Sequence, residues 1–421
     1  MKNLVQKLLA FLARKILARH KPAVVGITGS VGKSSAKEAI FLVVEQKFRA
    51  QRGKKNFNNE IGLPLAIIGS DSPEANIFGW LLVILKAFAL WLLLMKYPEV
   101  LILEMGVDRP GDMDYLLSIA KPDIAVFTPV SQSHYEFFKS EEAIAAEKGK
   151  LAQALSPEGF LIVNADSPAA LSQTNSSKAK VLSYSHKNIE ADVHISKLEE
   201  LLDGKIETRM EISLRGQLVP AKFRALGQTH LSAVLAAASV GLALKIEPSL
   251  ITKGIEEYKP YPSRLNIISG LKQSVIIDDT YNAAPDSMRV ALALLASLPA
   301  KRKIAVLGDM LELGDISNDS HREIGKIAAG LNPAMLVTVG VHGKLIAEGA
   351  ANAGYQLDKM LWFPDSDSAE RPVEALLEAE TLVLVKGSQG ARMEKIVRYI
   401  MAEPMRAEEL ICRQYGKWLE N

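Results

Sequence analysis

The sequence predicts an α/β protein made of two successive sheet-and-helix lobes. Short apolar runs alternate with helix-compatible stretches from Ala23 onward, and a glycine-rich loop directly follows the first run. The segment Tyr258 to Arg264 (YKPYPSR) then places two prolines ahead of a fresh set of apolar runs. At 421 residues the chain is long enough for each lobe to bury its own core. The expected layout is a basic amphipathic helix over residues 1–21, a P-loop domain with a mostly parallel sheet over 22–260, and a smaller Rossmann-like α/β domain over 261–421. An apolar helical insert is expected at 75–97, inside the first domain.

Taken in order, the N-terminal stretch mixes Lys2, Lys7, Arg14, Lys15, Arg19 and Lys21 with a helical stripe that includes Leu8, Leu9, Leu12 and Ile16. No small-residue cleavage site follows, which argues against a removable signal. The pattern fits a helix lying on a membrane surface, and equally one docked on the protein's own surface. Strands are expected at 23–27, 101–103, 124–128 and 160–163, followed by an antiparallel ribbon over 193–223 with one wet face and a helix over 231–244. The second lobe should hold strands at 275–277, 304–307, 335–339 and 381–385. Between the first two strands, Phe78 to Met95 is apolar with Lys86 as its only charge. A single crossing there would put the glycine loop and Glu104 on opposite sides of a bilayer. An interfacial or re-entrant helix is therefore expected, with a buried helix or oligomer contact as the alternative.

Charged residues make up 23% of the chain, and basic ones exceed acidic ones by only two, which gives no field for a nucleic acid. Cys412 is the only cysteine, so an internal disulfide and a cysteine metal cluster are excluded. A reducing, cytoplasmic setting follows, at the inner face of the membrane if residues 1–20 and 78–95 make peripheral contact with lipid.

The strongest local signal is TGSVGKSS, Thr28 to Ser35, between a strand and a helix. Gly29, Ser30 and Gly32 let backbone N–H groups approach phosphates, Lys33 neutralises their charge, and the hydroxyls of Ser34 and Ser35 sit where Mg²⁺ and phosphate oxygens lie. The spacing departs from the usual P-loop, because Ile27 occupies the place of the first glycine and Gly26 comes one residue earlier. Asn58 and Asn59 belong to an asparagine-dense loop, NFNNEIGLP, suited to polar ligands. Glu104 ends an apolar strand and His134 follows the next, so both should reach the carboxyl edge of the sheet, where a carboxylate, a hydroxyl and an imidazole can hold divalent cations.

TGSVGKSS, NFNNEIGLP, LEMG (103–106), HYEFF (134–138), PSRL (262–265), DDTYNAAPDS (278–287), GDMLELG (308–314) and LVKGS (384–388) occur in this order, and together they resemble the Mur ligases from residue 22 to about residue 400. The resemblance implies an ATP-dependent ligase of peptidoglycan synthesis. Such an enzyme phosphorylates a carboxylate and lets an amine attack the acyl phosphate, here adding D-alanyl-D-alanine to a muramoyl-peptide carboxylate. It implies ATP and two Mg²⁺, with Ser34, Glu104 and His134 as ligands and Lys148, carbamoylated, as a further anionic one. A carbamate suits that place because an ammonium beside Mg²⁺ would be repelled; Lys150 is the competing candidate. It further implies that Arg264, Asp279, Tyr281 and Asn282 contact the nucleotide, Arg264 together with Lys33, His134 and Lys148 being catalytic. His321, Lys386, Gly387 and Ser388 would line the cleft beside Asn58 and Asn59.

Three departures accompany the resemblance. The family's N-terminal domain for the uridine nucleotide is expected to be absent, since only 27 residues precede Thr28. Ala233 stands where an asparagine near adenine is expected, and Gln389 where a basic residue is common. Two other functions fit the same residues: a ligase for a different carboxylate, of the cyanophycin or folylpolyglutamate kind, and a nucleotide-binding membrane-associated scaffold without catalysis.

Overall fold

The computed structural model describes residues 2–53, 57–73, 76–93, 95–130, 138, 140–202 and 206–418. Strands β1 (Ala23–Thr28), β2 (Ala50–Arg52), β3 (Val100–Glu104), β4 (Ile124–Phe127), β5 (Phe160–Asn164), β6 (Lys180–Ser185), β7 (Val193–Leu202), β8 (Ile206–Leu214) and β9 (Gln217–Phe223) form one sheet in the order β2-β3-β1-β4-β5-β6-β7-β8-β9. Pairing is parallel from β2 to β7 and antiparallel through β8 and β9. The parallel strands are apolar throughout because both sheet faces are covered: Val25 and Ile27 of β1 enter one core and Val24 the other.

Helices α1 (Lys2–His20), α2 (Lys33–Val44), α3 (Gly62–Ile68), α4 (Ile77–Leu92), α5 (Asp112–Ile119), α6 (Glu141–Gln153), α7 (Gln228–Ala243) and α8 (Pro248–Glu256) supply that cover. Residues of α2, α7 and α8 share one core, and residues of α1, α3, α4, α5 and α6 share the other.

A second sheet joins β10 (Asn266–Ser269), β11 (Val275–Asp279), β12 (Arg302–Gly308), β13 (Met335–Val339), β14 (Met360–Phe363) and β15 (Thr381–Lys386) in the order β10-β11-β15-β12-β13-β14. Only the edge strand β10 is antiparallel to its neighbour. Helices α9 (Pro285–Ser297), α10 (Ser317–Leu331) and α11 (Gly343–Asn352) cover one face, and α12 (Ser366–Ala375) and α13 (Glu394–Ile400) the other.

Each strand expected from the sequence forms, within one or two residues. Sequence reasoning missed β2, β6, β10 and β14. These are short or partly exposed strands such as AQR and NIIS, which lack the long apolar run that marks a covered strand.

Helix α1 is docked on the protein itself, with Leu9, Leu12, Ala13 and Ile16 buried. Helix α4 gives Val83, Ala87 and Leu90 to the same core, which removes the re-entrant path expected for it, while its other side stays outside. Among the described residues no helix is long and apolar enough to cross a membrane.

The crossing of α2 and α8 fixes the helix that leaves the glycine loop. A Cβ at Gly254 would lie 2.5 Å from Val43 Cα and 2.6 Å from Leu42 O, so only glycine lets the two backbones approach this closely. Gly254→Ala is expected to destabilise the fold by about 1–3 kcal/mol. A lowered urea midpoint with unchanged slope would show it; an unchanged midpoint would mean that the crossing is not close-packed.

Candidate active site

Strand β1 lies where the sheet order switches, with β3 on one side and β4 on the other, so its carboxyl end opens into a crevice. The register sets Ile27 beside Glu104 and Thr28 beside Phe127, which brings the glycine loop and Glu104 to one edge. Gly29 has a φ of 139°, and a Cβ there would collide with Thr128 Oγ1. Ser30 and Val31 N–H donate to the Pro129 carbonyl at 2.8 and 3.3 Å, pinning the loop to the end of β4. Helix α2 then begins without a side-chain cap, leaving its first N–H groups for an anion.

Lys33 Nζ folds back on the Gly29 carbonyl at 2.9 Å. Burial holds its ammonium below the usual lysine range; Glu104 opposes that shift, and Arg264 from the second domain adds to it. Ser34 Oγ donates to Glu104 Oε2 at 3.2 Å, and Lys37 Nζ lies 3.7 Å from the same carboxylate oxygen. Hydroxyl and carboxylate oxygens side by side form a donor set that fits a hard divalent cation such as Mg²⁺. Behind the loop, Lys148 Nζ donates to Ser30 Oγ at 2.9 Å. Burial, with Lys33 nearby, holds its amine well below the usual lysine range.

Across the crevice, Arg264 lies over the Tyr281 ring with its guanidinium carbon 3.9 Å from the ring centroid. Its buried Nε has no hydrogen-bond partner among the described residues. Asp279 accepts from the Leu265 N–H at 3.2 Å and from Lys386 Nζ at 2.6 Å, and Lys386 also donates to the Asn282 carbonyl at 2.9 Å. Arg413 holds this loop from behind, donating to the Tyr281 carbonyl at 3.0 Å and to that of Thr280, and pairing with Glu394 at 3.0 Å.

The two sides enclose a cavity of about 370 Å³, lined by Ser30 to Ser35, Asn58, Asn59 and Glu104 from the first domain and by Arg264, Asp279, Tyr281, Asn282 and Lys386 from the second. Three cations facing one space from two domains suit a polyanion.

Comparison with known proteins agrees with this geometry. Residues 86–241 match the Mur ligase middle domain, and residues 263–389 match the Mur ligase, glutamate ligase domain. The UDP-N-acetylmuramoyl-tripeptide–D-alanyl-D-alanine ligase of Bacillus subtilis is 30% identical over 395 residues, covering 94% of this chain and 79% of that protein. The chain belongs to the Mur ligase family.

Among solved structures, MurF ligase from Thermotoga maritima in complex with ADP superposes with a TM-score of 0.78 at 26% identity, over 94% of this chain and 83% of that one. The folylpolyglutamate synthase of Mycobacterium tuberculosis shares the fold, with a TM-score of 0.65 at 16% identity over 93% and 95% of the two chains. Mur ligases are ATP-dependent ligases, and this chain is therefore an ATP-dependent ligase.

Of the site residues expected from the sequence of this Mur ligase, His134 lies outside the described residues. Thr28 is fully buried behind the loop and lines no part of the cavity. His321 does not face the cleft either. It is fully buried, its Nε2 accepts from the Met310 N–H at 2.9 Å, and its Nδ1 donates to the Ser317 carbonyl at 2.6 Å. Asp309 and His342 gather around it, yet neither ring nitrogen of His321 is left for a metal.

Gly387 and Ser388 are positioning residues. Gly387 packs on Met393 and Gly308, and Ser388 Oγ accepts from the Leu311 N–H and donates to the Ala283 carbonyl, fastening two cleft loops together.

Sequence reasoning missed Lys37, Asp108 and Glu312. Lys37 follows Lys33 by one helical turn on α2, a spacing that could have found it. Glu312 reaches the cavity from a backbone with a φ of 63°, which no sequence pattern announces. A neighbouring cavity of about 340 Å³, between Gly32, Asn164 and α7, has Ala233 in its wall.

Asp278, next to Asp279, is structural: it accepts from Ser263 Oγ at 2.7 Å and from Thr280, and burial pushes its carboxyl up to about 7. The folded protein thus binds this proton more tightly than the unfolded chain does. The resulting stability is complete below the ordinary aspartate range and is lost as pH rises through about 7. Urea midpoints of the wild type and Asp278→Asn should diverge in pH dependence over this window, the variant having the flatter profile. Separately, Arg264→Lys should lower substrate-dependent phosphate release about a hundredfold, while thermal melting shows a stability loss of no more than about 2 kcal/mol. Activity close to wild type would take Arg264 out of the reaction.

Proposed function

We propose that this Mur ligase joins D-alanyl-D-alanine to the terminal carboxylate of a muramoyl tripeptide, at the expense of ATP. The observation that supports this reading is the single cavity faced by Lys33, Glu104, Arg264 and Lys386 from two domains. A carboxylate oxygen of the acceptor attacks the γ-phosphorus, the bond to the bridging oxygen breaks, and ADP departs. The dipeptide amine then attacks the acyl carbon of the mixed anhydride, phosphate leaves with the C–O electron pair, and the nitrogen gives up its proton. Lys33 and Arg264 neutralise charge that spreads over the transferred phosphoryl oxygens. Lys386, fixed by Asp279, keeps the second domain's loop against the same space.

Ser34 and Glu104 are the residues that would hold Mg²⁺, whose chemistry is to neutralise phosphate charge. Lys148 is the residue that would carry a carbamate. Its amine, buried and held toward the neutral form, is the species that adds carbon dioxide and releases a proton. Lys150 is engaged elsewhere, donating to Asp114 and Glu147 at 2.6 Å each. A second cavity of about 380 Å³ shares Asn59, Asp108 and Glu312 with the first and offers room for the other substrate. Closure of both domains over the anhydride keeps water from it. The base of ATP has its place in the pocket walled by Ala233, where an alanine gives no polar contact.

The test measures phosphate release and product mass with UDP-muramoyl-tripeptide and D-alanyl-D-alanine, offered singly and together, against L-glutamate as the competing amine. Product only with the dipeptide and the muramoyl acceptor supports the reading. Product with glutamate, or ATP hydrolysis indifferent to both substrates, overturns it. Removing bicarbonate should lower the rate at least about tenfold, and isotope-labelled bicarbonate should give a carbamate resonance that Lys148→Arg abolishes.

A further inference from the structure

Helix α4 turns a continuous apolar stripe outward. Phe78, Leu81, Leu82, Leu85 and Leu92 recur at helical spacing, and each is between 52% and 79% exposed. No charge interrupts them, since the Nζ of Lys86 bends back to the Gly69 carbonyl at 2.5 Å. The stripe widens at Phe11 of α1, whose ring meets Trp91 edge-on at 5.8 Å. An apolar surface of this extent has a partner in most folded proteins.

The surroundings say what that partner is. Residues 1–21 contain no aspartate or glutamate, and the outer side of α1 presents Lys7, Arg14, Lys15 and Arg19. Where the carboxyl ends of α1 and α4 meet, directly after the exposed Leu92 and Leu93, lies a cavity of about 720 Å³. Arg19, Lys21, Arg49 and Lys96 line it, and Glu99 is the one acidic residue in its wall. Glu99 is taken by Arg49, at 3.3 Å. Arg19, Lys21 and Lys96 have no ion-pair partner among the described residues.

We propose that this face is a monotopic membrane-docking surface, in which the α4 stripe enters one leaflet and the basic cavity takes the phosphate of an anionic phospholipid. Helix α4 is about 24 Å long, short of a hydrocarbon core of about 30 Å, and its inner side is fixed in the protein core. It therefore lies along the interface, with cations at the level of the headgroups. A second copy of the chain fits less well, because a two-fold contact on this face would bring the same cations together.

The experiment is flotation of the full chain with phosphatidylcholine vesicles and with roughly two-to-one phosphatidylcholine–phosphatidylglycerol vesicles. The wild type should float with the anionic vesicles and about tenfold less with the neutral ones. Leu82→Ser/Leu85→Ser should lose about tenfold or more on both. Arg19→Glu/Lys96→Glu should lose only the preference for phosphatidylglycerol. Thermal melting and vesicle-free phosphate release, unchanged in each variant, would separate loss of docking from loss of fold or of ligase function. A wild type that stays out of both vesicle fractions would overturn the proposal. So would flotation that the serine variant retains, or a dimer in vesicle-free buffer that this variant dissolves.

Discussion

Lys33 and Arg264 belong to different domains, yet their charges oppose each other across one cavity, and much of the molecule's design follows from that. Neither cation is neutralised by a nearby side chain to the extent that its burial would demand. Among the described residues Lys33 has backbone carbonyls and the pull of Glu104 and Asp108, and Arg264 has the face of Tyr281. On the proposed function, a triphosphate resolves the conflict from both sides at once and so draws the domains together. On that reading, binding and closure are one electrostatic event.

The supports around the pair are built to hold it in spite of that repulsion. The loop carrying Lys33 is tied to β4 through Pro129, and α2 is locked by its contact with Gly254. On the other side, Ser388 and Asp278 sew neighbouring loops together beneath Arg264. These contacts fasten the loops that carry the two cations.

How much could be read from the sequence depended on how local each signal was. The covered strands and the P-loop were legible because runs such as AVVGIT and VLILE are uniformly apolar and end at one edge. Glu104, Arg264 and Asp279 were legible through ordered motifs, and the cavity brings all three together. His321 and Ser388 belong to motifs just as clear, yet they serve the loops rather than the cleft, a distinction that depends on which way a side chain turns. Glu312 depended on a left-handed backbone, and the docking of α1 on contacts with α3, α4 and α5, far along the chain. Periodicity reports an apolar face without naming what covers it.

Arg413 carries one more implication. It grips the carbonyl of Tyr281, 132 residues earlier, and so fixes the ring on which Arg264 rests. Residue 413 thereby braces one wall of the cavity although it lies outside every strand of the sheet that carries that wall.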